Sequence, residues 1–543
     1  MTPHLKKHFF EIFFGIVALF FSLWLMWHTF AYENGYMLIA SKAWSDFASH
    51  VPLIRSFSQG DNWPPEYPLF PGEPLRYHFL FYLLVGLLEK LGFPLDWALN
   101  LPSALSFALL VFAIYFLGRE LFKSRAVGIF SVVFFLFNGS FSFLEFFKTH
   151  PLSLHTFSDI FQNSTFPSFG PYDGKIVSAF WNLNIYTNQR HLALPLALLL
   201  LLVLWIIKVE KKVSIPQITL GGIFLGILPL AHSSIFIMAV GVLGMLFILL
   251  KRQKITVFGI LIVGVLLSLP RVIFLKSSAS FIPQLEIGFL TPHPVTLLSF
   301  LNYWFFNLGL AFILTLIGFI LAPKTARQVF VAFLPLFLIG NLVQFSIEMA
   351  GNHKFFTVFV AIANMFAAYG VVKIWHQKVL GKTLAIVLVF FLTLSGVIDF
   401  FAVKNDRFYQ IADYPQNPDV AWIVQNTPKN AIFLNSNYLY DPASLAGRKV
   451  FLGWPYFPWS LSYNTTRRDR ELRDMLSANN VNDVCKLVTQ NNISYIEIQH
   501  PDTNPNFTIN YDLFKKNFKQ IYNNPQSRLS LFTVQPVCNN LST

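Results

Sequence analysis

From Phe9 to about residue 402 the chain alternates long apolar runs with short polar breaks. Runs of about 17 to 25 residues suit helices that cross a hydrocarbon core of about 30 Å. The pattern predicts spans near 9–31, 97–118, 126–147, 191–207, 216–232, 235–250, 255–275, 296–321, 328–347, 355–375 and 383–402. The segment Tyr77 to Leu91 is shorter and carries Glu89 and Lys90 near its end, so it suits either a span or a helix lying in the interface. Beyond Lys404 the chain turns rich in Asn, Asp and Pro. There, Ala431 to Asn435 and Ile493 to Ile498 read as short buried strands, and Arg467 to Ser477 and Asn482 to Gln490 as helices. The expected fold is a polytopic α-helical membrane protein of about eleven transmembrane helices with a C-terminal small α/β extracytoplasmic domain. Residues 1–403 would form the membrane domain, with outer loops 32–96 and 148–190, and residues 404–543 the outer domain. No internal repeat is visible.

Composition agrees with a lipid solvent. The 543 residues are 54% hydrophobic, 17% aromatic and 12% charged, with a mean hydropathy of +0.52. A soluble globular chain carries about 25% charged residues, so an ordinary cytosolic enzyme is excluded, and so is a nucleic-acid partner. The net charge of +13 gains meaning only from its placement. If Tyr77 to Leu91 does not span, one side collects Lys6, Lys7, Arg119, Lys123, Arg125, Lys208, Lys211, Lys212, Lys251, Arg252, Lys254, Lys324, Arg327, Lys373, Lys378 and Lys382, opposed only by Glu11, Glu120 and Glu210. That is the positive-inside pattern, and counting the segment as a span would invert everything after Arg119. The expectation is a multi-pass protein of the cell membrane with its N-terminus cytoplasmic and its tail outside. The run after Lys6 and Lys7 is too long for a signal h-region and reads as a first span. Cys485 and Cys538, both in the tail, leave room for one disulfide or for two free thiols.

Candidate chemistry falls at the outer ends of helices. In the first outer loop Asp46 and His50 are four apart and would share a helix face, and a carboxylate beside a cation is a plausible general base. A proline-stiffened stretch follows, with Glu66 after Pro64-Pro65, then Arg76 and His78. The second outer loop carries Asp159, Asp173, Asn184, Arg190 and His191 directly before an apolar span. Polar groups so near hydrocarbon need partners: Arg190 and His191 either pair a lipid phosphate or snorkel. His232 sits between two short spans, and His353 and Lys354 precede another. There is no Walker motif, dinucleotide fingerprint or HExxH, so nucleotide and zincin chemistry have no support.

The layout resembles the GT-C superfamily of membrane glycosyltransferases, which includes protein O-mannosyltransferases and the bacterial aminoarabinose transferase. The likeness rests on a first span, a long outer loop with an acid, a Pro-Pro element, many later spans and an outer domain. Leu95 to Ala104 and Tyr115 to Phe122 resemble the second span and its basic turn. Ala446 to Arg448, Gly453 to Trp459 and Ser494-Tyr495 resemble the outer domain of bacterial members of unknown specificity. The resemblance implies transfer of a sugar from a polyprenyl-phosphate donor to a hydroxyl of a glycan, lipid or protein acceptor on the outer face. Asp46 takes the place of the loop-one base, with Glu66 as second catalytic candidate. Arg190, His353 or Lys354 would offset charge on the leaving phosphate, and His50, Arg76, His78, Asp173, Asn184, His191 and His232 are the remaining substrate-binding candidates. Trp63 stands where the family often has Lys or His before Pro-Pro, and Glu145, Asp159 and Asp173 compete for the second acid. The resemblance leaves metal dependence open: it fixes no cofactor, and a divalent metal is compatible. The rival reading is a transporter or flippase of a lipid-linked saccharide, which scarce mid-span charges and long outer loops disfavour.

Overall fold

In the computed structural model, which describes residues 3–168, 183–209, 214–278, 282–288, 290–291, 294–347, 349–499 and 508–541, helix occupies much of every expected apolar run. Six are long and apolar enough to cross a membrane: Phe9–Thr29, Leu95–Phe122, Lys254–Lys276, Lys324–Leu342, His353–Trp375 and Val379–Lys404. The protein is therefore a mostly helical, multi-span membrane protein. Four further apolar helices, Arg125–Leu136, Ala193–Lys208, Ile215–Ala231 and Ser233–Leu249, are shorter. At a rise of about 1.5 Å per residue, helices of this length reach about 18 to 26 Å, less than a full hydrocarbon core.

Two expected spans are broken. The run 126–147 leaves helical geometry at Phe137 and resumes as a separate helix, Phe143–Thr149. Asn138 explains the break: its side chain donates to Asp399 (3.2 Å) and accepts from the Ser140 backbone (3.1 Å), a local competition with helix bonding. The run 296–321 is two helices, Leu297–Leu308 and Leu310–Leu321, bent by 93°. Gly309 turns the corner at φ +57°, and a Cβ there would lie 1.8 Å from the Gly139 carbonyl oxygen. No side chain fits.

The chain packs as two units. The helical unit comprises Met1–Thr29, Asn100–Lys276 and Ile282–Arg407. Its centre is His353–Trp375, buried along nearly its whole length and packed on Arg125–Leu136, Leu310–Leu321, Lys324–Leu342 and Val379–Lys404. Its Ala361, Ala363, Ala367, Ala368 and Gly370 allow backbones to approach closely, as small residues do between helices in lipid.

The second unit comprises Phe30–Leu99, Ser277–Phe281 and Phe408–Thr543. The expected division at residue 404 placed the first loop with the helices, whereas the loop packs with the tail. The cause is a three-stranded antiparallel sheet. Phe30–Glu33 and Tyr36–Ala40 form a hairpin through Asn34-Gly35, both at positive φ, and Tyr36–Ala40 pairs with Phe408–Ala412. The helix Leu80–Lys90, the core of the doubtful segment, is too short to span, at about 16 Å, and packs on Trp44–Ser58. The tail builds a five-stranded mixed sheet in the order Lys449–Val450, Ile432–Leu434, Tyr495–Gln499, Leu529–Thr533, Lys519–Asn524. The two expected strands and two expected helices appear within a few residues of their predicted limits. The abundance of asparagine has a structural use, because Asn417, Asn464, Asn480 and Asn510 each cap a helix N-terminus. Cys485 and Cys538 form a disulfide joining Val481–Gln490 to Val537–Leu541.

One buried pair in this sheet predicts a pH response. Asp441 caps the helix Pro442–Leu445, and Glu497 lies at the centre of Tyr495–Gln499; both carboxyls are buried. Burial pushes Asp441 up to about 7, and burial with the Asp441 charge pushes Glu497 higher than the usual carboxylate range. The folded state therefore keeps protons that the unfolded chain releases above about pH 4. Stability of the tail is expected to fall as pH rises from about 5 to 7, by about 1.4 kcal/mol per pH unit for each retained proton. Glu497→Gln, which can still donate to Asp441, should flatten that slope. Hydrogen exchange of the tail strands at pH 5 to 8 measures it, and an equal slope in wild type and variant rejects the assignment.

Candidate active-site residues

Asp46 lies in the first turn of the helix Trp44–Ser58, where the helix dipole favours a carboxylate. The helix is held by a nearly continuous buried face from Phe47 to Ser58. The half-buried Asp46 is close enough to Tyr77, Tyr82 and Tyr440 for its charge, together with burial, to push all three phenols up. Those hydroxyls stay protonated and act as donors at neutral pH. His50, one turn on, is buried and packs its ring 4.9 Å from Tyr82. Asp46 and His50 thus share Tyr82 as a neighbour.

The other loop candidates have structural partners. Glu66 pairs with Lys449 (2.7 Å) and accepts from the Gly72 backbone, which fastens the proline-rich stretch to the tail. Arg76 pairs with Glu73 (2.6 Å), donates to the Ser462 carbonyl and lies 4.4 Å over the Tyr463 ring. The buried His78 ring lies 3.8 Å from Tyr77. What sequence reading missed is the ion network beneath them: Arg55 pairs with Glu89 (3.0 Å) and with Asp413, and Ser58 donates to Glu89.

In the helical unit four candidates converge from three separate segments. The buried His191 and His232 rings face each other at 5.5 Å. His232 caps Ser233–Leu249, its Nδ1 accepting the Ile235 N–H (3.4 Å), which leaves Nε2 to carry the proton. Lys354, His191 and His353 all act electrostatically on His232. Asn352 delivers His353 and Lys354: its side chain donates to Gly340 (2.9 Å) and Val343 (2.6 Å) and accepts from Phe345 (3.1 Å), fixing the turn before His353–Trp375. Three imidazoles and an ammonium at helix ends suit an anion, and facing imidazoles are also the residue type that ligates divalent metals.

Arg190 is 1% exposed and does not reach out as a snorkelling side chain would. It donates to Thr187 O (2.7 Å), Asn100 Oδ1 (3.0 Å), Met26 Sδ (2.8 Å), Met26 O (3.2 Å) and Thr29 Oγ1 (2.9 Å). It therefore ties the first long helix and the start of Ala193–Lys208 together, immediately beside His191. Asn184 opens the short buried helix Asn184–Asn188, whose Thr187 receives that arginine. Among the competing second acids, Glu145 pairs with Lys148 (2.7 Å), Asp159 is half-buried in Thr156–Gln162, and Asp173 lies outside the described residues.

The fold and these clusters define a multi-pass membrane protein with chemistry-bearing residues at helix ends and in a mixed-sheet unit. No protein-family model matches the chain, and no curated protein matches it. Among solved structures, the chain is similar to the Archaeoglobus fulgidus oligosaccharyltransferase in its apo form, at 12% identity and a TM-score of 0.44, over 98% of this chain and 75% of that one. It is similar also to the archaeal oligosaccharyltransferase AglB from Archaeoglobus fulgidus in complex with an inhibitory peptide and a dolichol-phosphate, at 11% identity and a TM-score of 0.42, over 97% of this chain and 75% of that one.

Proposed function

We propose that the protein is a membrane glycosyltransferase that moves a sugar from a polyprenyl-phosphate-linked donor to a hydroxyl acceptor on the outer face of the membrane. The observation that carries this reading is the convergence of His191, His232, His353 and Lys354 at helix ends of the membrane unit. A lipid phosphate places its charge at a helix end while its tail lies in hydrocarbon. Preorganised cations and N–H donors stabilise the negative charge that grows on that phosphate as the sugar leaves. In this reading Lys354 and the histidines bind the phosphate, and Arg190 holds His191 in place. Asp46 takes the proton from the acceptor hydroxyl, and Glu66 is the reserve base, occupied with Lys449.

The orientation we propose follows from charge: Arg119, Lys123, Lys251 and Lys324 lie at helix ends on the cytoplasmic side, and the tail lies outside. A tail disulfide suits an oxidising compartment.

The test combines a cellular and a binding measurement. Mass spectrometry after deletion of the gene should show a lipid-linked sugar accumulating and one glycan or glycoconjugate losing a residue. Purified protein in nanodiscs should bind polyprenyl phosphate, and Lys354→Ala should weaken that binding about 10- to 100-fold, the value of a charge-assisted hydrogen bond. Unchanged affinity in Lys354→Ala removes the cluster from the donor site. Accumulation of the lipid-linked sugar on the cytoplasmic leaflet alone would instead indicate a flippase.

A further inference from the structure

Three aromatic rings cluster at the start of the helix that carries Asp46 and take no part in the chemistry assigned above. Trp44 opens the helix on which Asp46 lies. Its ring is 4.3 Å from Tyr440 and 4.6 Å from Tyr409. Tyr409 comes from the strand Phe408–Ala412, opposite Ile39, and half of its surface is exposed. Tyr440 holds its place at a cost. Its φ is +50°, a left-handed conformation that a bulky residue rarely adopts, and its hydroxyl donates to the Trp44 carbonyl at 2.6 Å. Strain of this kind gathers where a side chain must be aimed for a purpose. Here it aims a ring at Trp44 within reach of the Asp46 charge.

We infer that Trp44, Tyr409 and Tyr440 form a platform that stacks a sugar ring of the acceptor beside Asp46, so that the acceptor is a saccharide. The inference rests on the transferase reading for its role but on the rings for its chemistry. A pyranose presents C–H groups on its face and hydroxyls around its rim; aromatic faces take the first, and a neighbouring carboxylate takes the second. An ammonium cage is a poor fit, because rings already in contact leave no gap between them for a cation. A lipid-inserting patch fits no better, since Asp46 would be carried into hydrocarbon.

The experiment is saturation-transfer NMR of full-length protein in nanodiscs, without donor, using linear gluco-, manno- and galacto-configured trisaccharides and a mixed-sequence peptide as probes. Wild type is expected to transfer saturation to ring C–H protons of at least one sugar. Tyr409→Ala should weaken that binding about tenfold, and Tyr409→Phe, which keeps the ring, should restore it. Tyr409 is half exposed, so its replacement leaves the fold intact, and a thermal melt of each variant checks this. Binding of no sugar, equal binding by Tyr409→Ala, or dependence on Tyr409 of peptide or polyprenyl-phosphate binding overturns the platform. The two readings fail separately. Tyr409-dependent sugar binding in a protein without transferase activity leaves the platform standing, and measured transfer with Tyr409-independent acceptor binding removes the platform alone.

Discussion

Asp46→Asn is expected to lower sugar transfer about 10²- to 10⁴-fold, the usual cost of removing a general base. Polyprenyl-phosphate affinity and thermal stability should stay close to wild type. The reason is local. Asparagine keeps the size of the side chain, but it cannot take a proton. The helix beneath it is fixed by its buried face and not by this residue. Transfer assayed beside donor affinity separates chemistry from binding, because a loss confined to turnover identifies an interaction made in the transition state. Near-normal turnover in Asp46→Asn would move the base elsewhere. Glu66→Gln is the contrast: with its carboxylate paired to Lys449 near the surface, it should cost about 1 kcal/mol or less of stability and little turnover.

Much of the helical architecture was legible because a membrane helix is a local, compositional signal. The breaks were less so. A hydrophobic window passes over Asn138 and Gly309, since one polar or one missing side chain barely changes its mean, yet each redirects the backbone. The sheet that joins Phe30–Ala40 to Phe408–Ala412 was not legible, because strand pairing across so much sequence leaves no local periodicity. The Asn34-Gly35 turn was the one local signal for it. Among site residues, His191, His232, His353 and Lys354 stood out as polar groups at helix ends, but their convergence depends on tertiary packing that spacing cannot supply. Glu89 drew notice only as a charge that spoiled a possible span. Its partner Arg55 gives the reason it is there.

That pair carries the largest expected effect on stability. Arg55 lies between Glu89 and Asp413 with its side chain 4% exposed, and the two carboxylates are 8% and 0% exposed. Burial alone would raise Glu89, and the Arg55 charge opposes that rise. Arg55→Met fills a similar volume but removes the charge that pairs with both buried acids. Breaking a buried pair in this way costs about 3–5 kcal/mol. The sign of the pH dependence identifies the cause. Without Arg55 the buried Glu89 carboxyl, already raised by burial, loses the charge that opposes that rise, so the variant is least impaired in acid and loses stability as pH rises through the raised Glu89 value. Arg55→Met combined with Glu89→Gln and Asp413→Asn should recover most of the loss, since neutral partners can be buried where unpaired charges cannot. Melting of the three proteins from pH 5 to 8, with hydrogen exchange at Tyr36–Ala40 and Phe408–Ala412, measures both effects. A deficit below about 1 kcal/mol, or one that acid does not relieve, would mean that packing and not charge holds the first loop to the tail. Because Arg55 and Asp46 share one helix, the same variant should also lower transfer, and the neutral triple variant should restore it together with the fold.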